Sequence, residues 1–248
     1  METNINSVGV PVNFPGFVGA DCRQVFTFWD DFMLSCRDTT VDDAAWLTTE
    51  TTGAVTFGDS TDAEQELAGG MVVLTPSATS TDLCTMEANG QHFNIDQGYP
   101  LYFESRFMIS NTGYAGVIIG IGPAGATGIF RTAASPEVAF RCASDTLGTI
   151  TCNAGGNNSD TGLMTIADGI WYRGAFYWDG VDKLTFWVAT AGGAFVEINQ
   201  LDTDTTADYI PEDVVGTICA EADTFVAGAS VLYIDYILCQ QARCFAPE

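Results

Sequence analysis

The sequence predicts an all-β protein, an antiparallel β-sandwich preceded by an extended N-terminal arm. Short runs of alternating apolar residues recur from residue 25 to residue 239, and Gly, Ser, Thr, Asn and Asp clusters separate them. No long stretch shows the 3.6-residue apolar period of an amphipathic helix. The 248 residues are 47% apolar and 12% aromatic, enough for one well-filled core. We therefore expect an arm over residues 1–24 and a single sandwich domain over residues 25–248.

The predicted arm has no periodicity and is rich in proline and glycine, which favours an extended chain. It is more apolar than a solvated tail requires, so we expect it to lie on a partner subunit or on its own sandwich. A simple N-terminal edge strand is an equal alternative. The apolar arm residues predicted to bind a partner are Val8, Val10, Val12, Phe14 and Phe17.

Strands are predicted next at residues 25–29, 54–57, 71–74 and 83–87, with Trp46 as a core residue. Leu101 to Ile109 alternates, so Leu101, Phe103 and Phe107 share one face and Tyr102, Glu104, Arg106 and Met108 share the other. This pattern predicts a half-buried strand whose second face is exposed. Tyr102 and Arg106 on that face join the arm as predicted partner-binding residues.

The second half of the chain predicts further hairpins. Residues 115–121 form a strand, 138–142 and 149–152 form a hairpin, and the Gly/Asn-rich segment 153–162 forms a loop. An aromatic meander follows over residues 171–178, 184–189 and 195–198, with a tight turn at Asp179-Gly180. Residues 199–215 are polar, with room for one helical turn at 211–214. The last strand, 231–239, is apolar on both faces, which indicates a central position.

The charge balance excludes several partners. There are 32 acidic residues and 8 basic ones, a net charge of -24, so a phosphate backbone or an anionic membrane would be repelled. Residues 1–17 lack the basic and apolar regions of a signal peptide, and no run of 18 apolar residues occurs, so we expect synthesis in a cytoplasm. The eight cysteines would then begin as thiols, most of them core residues. Later oxidation would allow a disulfide bond between Cys239 and Cys244, or between Cys142 and Cys152.

Familiar catalytic and cofactor motifs are weak. Gly120, Gly122 and Gly125 fit the spacing of a dinucleotide-binding loop, but Pro123 intervenes and no helix follows, so we expect a loop or bulge. A serine triad would have to use His92, the only histidine, and no GxSxG elbow accompanies it. We expect a surface or turn histidine.

Paired carboxylates and cation ligands are equally sparse. Glu104 has no second acid on its strand and is expected to pair with Arg106, so hydrolysis of glycans is not favoured. Two groups of side chains could supply oxygen ligands to calcium: Asp202, Asp204 and Asp208, and Asn157, Asn158 and Asp160. Neither group has the spacing of an EF-hand calcium loop. No enzyme activity and no cofactor are predicted, and calcium is kept open.

Four aromatic residues of the meander are compatible with two roles. Aromatic side chains on adjacent strands most often fill a core or a subunit interface, and less often form a sugar-stacking platform. These residues are Trp171, Tyr177, Trp178 and Trp187.

The combined pattern resembles the concanavalin A-like (laminin G-like) jelly-roll domains in structural proteins of tailed bacteriophages. The resemblance covers about residues 25–239. It rests on Asp30-Asp31-Phe32 with Trp46, on segments 69–75 and 100–107, on 117–121 and 138–141, on the 171–188 hairpin, and on 234–237. The paired-glutamate strand of enzyme members and the compact Asp/Asn loop of calcium-dependent lectins are both missing.

The resemblance implies a virion protein made in the host cytoplasm and carried on the capsid surface. It would be a decoration or cement subunit whose partners are the shell of major capsid protein and sister copies, with a trimer favoured. The alternatives are a carbohydrate-binding adhesin of a head fibre or tail, which would bind a host-surface glycan, and a glycan hydrolase. Neither nucleic acid nor membrane is an expected partner.

Overall fold

The computed structural model describes residues 25–32, 46–58, 70–79, 82–90, 92–95, 98–123, 137–143, 145–153, 156–190, 192–202, 214–224 and 230–242. Within these ranges there are sixteen strands and one short 3-10 helix, Thr112–Tyr114. The strands are β1 (Val25–Asp30), β2 (Trp46–Glu50), β3 (Gly53–Gly58), β4 (Met71–Pro76), β5 (Leu83–Ala88), β6 (Phe93–Ile95), β7 (Leu101–Ile109), β8 (Ala115–Gly122), β9 (Glu137–Ala143), β10 (Thr146–Asn153), β11 (Gly156–Thr165), β12 (Trp171–Trp178), β13 (Lys183–Thr190), β14 (Val196–Asp202), β15 (Val214–Thr224) and β16 (Leu232–Ala242).

The strands form two antiparallel sheets of eight. Sheet 1 has the order β14-β13-β12-β7-β16-β4-β3, and β1 pairs with β16. Sheet 2 has the order β11-β10-β9-β8-β15-β5-β2, and β6 pairs with β15. This arrangement confirms the all-β sandwich. No helix in the described ranges has the length and apolar character to cross a membrane.

The core lies between the sheets and is rich in phenylalanine. In sheet 1 the rings of Phe103 and Phe176 stack with centroids 4.8 Å apart. Phe140 of sheet 2 meets Phe186 of sheet 1 edge to face at 5.5 Å. These contacts fix the spacing of the two sheets, because aromatic rings bury large areas in defined geometries.

The Asp30-Asp31-Phe32 segment joins the two sheets at one end. Asp30 at the end of β1 accepts hydrogen bonds from the Phe32 amide at 2.7 Å and from the Trp46 indole Nε1 at 2.6 Å. Phe32 has φ 56° and is buried, its ring 5.6 Å from that of Trp46. Trp46 is therefore the predicted core residue, and its indole N–H has the partner that burial requires.

The meander and the final strand were predicted correctly. β12, β13 and β14 pair in sequence, and the Asp179 carboxylate accepts hydrogen bonds from the amides of Val181, Asp182 and Lys183. Gly180 has φ 78°, and an added Cβ would come within 2.9 Å of the Pro100 nitrogen, so this turn requires glycine. β16 lies between β7 and the strands β4 and β1, which is the predicted central position.

The prediction missed four strands, β2, β6, β11 and β15. The expected loop at 153–162 is mostly strand β11, an edge strand paired with β10. An edge strand needs only one partner, so its Asn and Gly content is tolerated. β15 was not predicted, because its inward residues Ala220 and Ala222 are small and give a weak alternation. The helical turn expected at 211–214 lies outside the described residues except for Val214, where β15 begins.

The expectation of an exposed second face on β7 was also wrong. Tyr102, Glu104 and Met108 are all buried, and Arg106 alone among the four is partly exposed. Side chains from neighbouring strands cover this face: Tyr177, Trp187 and Phe195 pack against Tyr102, Ala175 and Leu238. The strand is buried on both sides because sheet 1 has a second, smaller apolar cluster on its outer surface.

Candidate functional site

The strand register assembles a layer of aromatic and charged side chains on the outer face of sheet 1. Tyr236, Arg106 and Arg173 lie side by side on β16, β7 and β12. Two residues further along β7, a second row places Leu238, Glu104 and Ala175 together. Trp29 on β1 extends this second row, because it pairs with Leu238.

Trp29 is the most exposed part of this layer. Its side chain is 51% exposed, and its ring stacks on Tyr236 with centroids 5.2 Å apart and an interplanar angle of 15°. One face of the indole is therefore held by Tyr236 while much of the ring remains available to solvent. We name the surface formed by Trp29, Tyr236, Arg106, Asp235 and Trp171 the aromatic–arginine patch.

Arg106 holds the centre of the patch. Its Nη1 donates to Asp235 Oδ2 at 2.8 Å, and its guanidinium lies 4.9 Å from the centroid of the Trp171 ring. The predicted pair between Glu104 and Arg106 is therefore wrong. The register of β16 shifts between Ile234 and Tyr236, and this irregularity leaves Asp235 outside the ladder, where its side chain reaches Arg106.

Glu104 is instead buried beneath two tyrosines. The hydroxyl of Tyr102 donates to Oε2 and that of Tyr236 to Oε1, each at 2.5 Å. Arg173 Nη1 is 4.0 Å from Oε1, too far for a hydrogen bond. Burial raises the pKa of Glu104, while the tyrosine hydrogen bonds and the Arg173 charge act to lower it. Burial and the Glu104 charge also raise the pKa of Tyr102 and Tyr236, which keeps both hydroxyls protonated as donors.

Arg173 is held from its other side by the loop before β14. Its Nη2 donates to the Gly193 carbonyl at 2.9 Å, and its guanidinium lies 4.6 Å from the centroid of the Phe195 ring. Its Nε is buried and has no hydrogen-bond partner. Both arginines of this face are thus oriented by an aromatic ring.

The outer face of sheet 2 contains two acids that sequence reasoning missed. Glu137 on β9 and Glu221 on β15 lie on the two sides of β8, and both are buried. Burial, with a smaller contribution from the charge of Glu221, raises the pKa of Glu137 to about 8, against the lowering effect of Arg141. Glu137 Oε2 has no hydrogen-bond partner. Sequence spacing reveals paired acids only within one strand, whereas these two come from strands separated by β8.

A shallow pocket lies further along this face, around Ile118, which pairs with Glu221 in the register of β8 and β15. It has a volume of about 310 Å³, including the solvent at its mouth, and Arg141, Asp223, Gly116 and Ile118 contribute to its lining. Glu137 is not among its lining residues. The two buried acids and the pocket therefore do not form one cleft.

The single histidine and the glycine motif are not part of either outer-face cluster. His92 is exposed, its Nε2 is 2.8 Å from the Asn89 carbonyl, and its ring contacts Phe26, as expected of a turn histidine. Gly120 and Gly122 lie within strand β8 rather than a loop, while Gly125 is outside the described residues. An added Cβ on Gly120 would be 2.2 Å from the Val138 carbonyl, so glycine permits close approach of β8 and β9.

The described side chains include part of the candidate calcium ligands and one cysteine of each suggested disulfide. Across the described ranges, no group of three or more His, Cys, Asp or Glu residues is placed to hold a metal ion. Asp204 and Asp208 lie outside those ranges, and Asn157, Asn158 and Asp160 belong to β11. Cys142 and Cys239 are free and buried, so neither suggested bridge is present; Cys84 and Cys219 are also free and buried.

The predicted binding residues are only partly described. The arm residues Val8, Val10, Val12, Phe14 and Phe17 lie outside the described residues. Tyr102 is buried beneath the outer face of sheet 1, and Arg106 is the one of this pair that reaches the surface. Of the four meander aromatics, Trp178 is in the core, while Trp171, Tyr177 and Trp187 are on the outer face.

Comparison with known proteins gives matches in structure alone. No protein-family model matches the sequence, and no curated protein matches it significantly. The fold is similar to peanut lectin, with a TM-score of 0.61 and 12% identity over 90% of this chain and 99% of the lectin. A Lotus tetragonolobus seed lectin gives 0.61 and 12% over 90% and 100% of the two chains.

An enzyme shares the fold as well. The endo-β-1,4-glucuronan lyase of Trichoderma reesei matches with a TM-score of 0.52 and 13% identity over 86% of this chain and 94% of the lyase. At these identities the similarity shows the fold and not the activity. The chain has the concanavalin A-like jelly-roll fold of the legume lectins.

Proposed function

We propose that this protein is a non-catalytic structural component of a tailed-bacteriophage virion, a decoration or cement subunit that docks through the aromatic–arginine patch. The observation that carries the proposal is the half-exposed Trp29 stacked on Tyr236 beside the Arg106–Asp235 ion pair. Tryptophan, tyrosine and arginine are the residues most enriched at the energetic centres of protein interfaces. The patch therefore has the composition of a docking surface.

The order of the patch favours binding by a rigid surface. Trp29 is held by Tyr236, and Arg106 is held by both Asp235 and Trp171, so docking would freeze few additional rotamers. The chain as a whole carries a net charge of -24, which disfavours close approach of an acidic shell elsewhere. The positive charge of Arg106 makes the patch the part of the described surface where an acidic partner would be repelled least.

The remaining parts of the proposal concern assembly. The apolar arm would hold the subunit to the major capsid protein and to sister copies, with a trimer favoured, on the outer surface of the capsid. The test is cryo-electron microscopy of purified particles carrying wild-type, Trp29→Ala or arm-deleted protein (residues 1–24 removed). We expect the subunit on the shell and reduced occupancy for both variants. Full occupancy of both variants, or absence of the wild-type protein from particles, would refute the proposal.

A carbohydrate-binding adhesin is the second candidate, and the free face of Trp29 favours it. An exposed indole ring is a stacking surface for a sugar, while Arg106 and Asp235 beside it supply a donor and an acceptor for hydroxyl groups. The lectins that share the fold are compatible with this role. A glycan array with the full chain tests it, with Trp29→Ala expected to abolish binding. The matched control is Val181→Ala, which removes a 64%-exposed apolar side chain from the β12–β13 turn, at the end of β12 opposite Trp171.

A further inference from the structure

The outer face of sheet 1 contains an unusual pair of like charges. Arg106 on β7 and Arg173 on β12 are directly opposite each other in the antiparallel register. Like charges in this position normally destabilise a sheet. The chain has only 8 basic residues against 32 acidic ones, so two arginines in one cross-strand pair are a marked local concentration of positive charge.

The acids near this pair leave much of its hydrogen-bonding capacity unused. A guanidinium has five N–H donors. The described contacts of Arg106 use Nη1 on Asp235, and those of Arg173 use Nη2 on the Gly193 carbonyl. Glu104, the other nearby acid, is engaged by the two tyrosine hydroxyls and remains 4.0 Å from Arg173 Nη1.

Both guanidinium groups are stacked and partly accessible. The side chain of Arg106 is 22% exposed and that of Arg173 is 17% exposed. Arg106 lies over the Trp171 ring and Arg173 over the Phe195 ring, and these contacts restrict the positions of two groups whose paired N–H donors suit a planar carboxylate. Two arginines directly opposite each other can therefore address the two oxygens of a single carboxylate.

We infer that the Arg106–Arg173 pair binds the carboxylate of an acidic oligosaccharide while a neighbouring sugar ring stacks on Trp29. Trp29 and Arg106 are on strands separated by β16, so their backbones are about 10 Å apart across the sheet. One oligosaccharide can span that separation and present different sugar units to Trp29 and to the arginine pair. This inference rests on the carbohydrate-binding candidate and specifies its ligand as a uronic-acid glycan.

The test compares three probes by titration calorimetry with the full-length protein. They are an oligogalacturonate, the same oligomer with its carboxylates methyl-esterified, and a neutral gluco-oligosaccharide of equal length. We expect the acid form to bind about tenfold or more tightly than its ester, because esterification removes the charge-assisted hydrogen bonds. Raising the salt concentration should weaken the acid form selectively.

Variants locate the interaction. Arg106→Met and Arg173→Met should each reduce affinity for the acid form about tenfold, a larger loss than either causes for the ester. Arg173→Lys retains the charge but not the paired donors, and serves if Arg173→Met fails to fold. Lys183→Met is the matched control, since it removes an exposed positive charge at the β12–β13 turn.

These measurements distinguish carboxylate recognition from carbohydrate binding in general. Equal binding of the acid, the ester and the neutral oligomer would overturn carboxylate recognition and leave a neutral-glycan lectin. Preference for the acid form that survives both arginine substitutions would also overturn it. Absence of binding to all three probes would overturn the inference, and an empty glycan array would then remove the carbohydrate-binding candidate as well.

Discussion

The two outer faces of the sandwich treat buried carboxylates in opposite ways. On sheet 1, Glu104 is 3% exposed and both its oxygens accept hydrogen bonds from tyrosine hydroxyls. On sheet 2, Glu137 is 1% exposed, its Oε2 has no hydrogen-bond partner, and the like charge of Glu221 adds to the effect of burial in raising its pKa. Burial raises the pKa of both acids; two tyrosine hydroxyls oppose this effect at Glu104, whereas the charge of Arg141 opposes it at Glu137.

This difference shows that a buried acid stabilises or destabilises according to its partners. Glu104 organises Tyr102 and Tyr236, and through Tyr236 it supports the stacked Trp29. The Oε2 atom of Glu137 lacks such a donor, and with a pKa of about 8 this carboxyl is expected to be protonated at neutral pH. The following substitutions test the contrast, beginning with the largest expected effect.

Glu104→Ala should lower the free energy of unfolding by about 4 kcal/mol, because it leaves two tyrosine hydroxyls and the Arg173 charge without their buried acceptor. Urea denaturation at pH 7 measures the change. Glu197→Ala on β14 removes an exposed acid and should change stability by less than about 0.5 kcal/mol. A loss of stability no greater than that of Glu197→Ala would show that Glu104 does not organise this face.

Glu137→Gln should stabilise the protein by roughly 3 kcal/mol at pH 9 and have little effect at pH 4. Burial raises the pKa of Glu137 from its ordinary value of 4.5 to about 8 in the folded protein, so the folded state binds more protons between these values and stability falls as pH rises through them. Thermal unfolding across pH 4–9 provides the measurement, with Glu197→Gln as the exposed control. Equal shifts of the two variants at every pH would contradict the assignment.

Tyr236→Phe should cost about 1 kcal/mol, since it removes one hydrogen bond to Glu104 and keeps the ring on which Trp29 stacks. The Tyr236→Phe variant should still bind any partner of the aromatic–arginine patch. Denaturation and binding measured on one preparation separate these effects. Loss of binding with unchanged stability would show that the Tyr236 hydroxyl contacts the partner rather than Glu104.

Trp29→Ala should have the smallest effect on folding, below about 1 kcal/mol, because half of the side chain is already exposed. It should have the largest effect on binding, since it removes the exposed ring of the patch. Surface plasmon resonance against isolated particles or immobilised glycan checks this, with Val181→Ala as the control. Unchanged binding would move the functional surface away from Trp29.

Local patterns predicted the elements whose information lies within a few residues. The Asp179-Gly180 turn and its flanking aromatic strands follow from adjacent residues, and they form β12 and β13 as expected. The apolar character of both faces correctly placed β16 in the middle of a sheet. Trp46 was expected in the core, but its hydrogen bond to Asp30 joins residues sixteen positions apart and had no local signal.

Predictions failed where neighbours on other strands decide the outcome. Glu104 and Arg106 share a face, yet the irregularity at Asp235 gives Arg106 a different acid. Glu137 and Glu221 gave no paired pattern, because strand order rather than sequence spacing places them on either side of β8. β11 became a strand because pairing with β10 satisfies its backbone despite its Asn and Gly content.

The sequence by itself determined the all-β class, the central last strand and the strongly acidic character, because these depend on alternation and composition. Tertiary structure decided which side chains meet on the outer faces of the sheets. The pairing of Arg106 with Arg173, the burial of Glu104 under two tyrosines and the exposure of Trp29 all depend on the order and register of strands distant in sequence. A strand's alternation defines its two faces, but the adjacent strands determine whether each face is covered, charged or open to a partner.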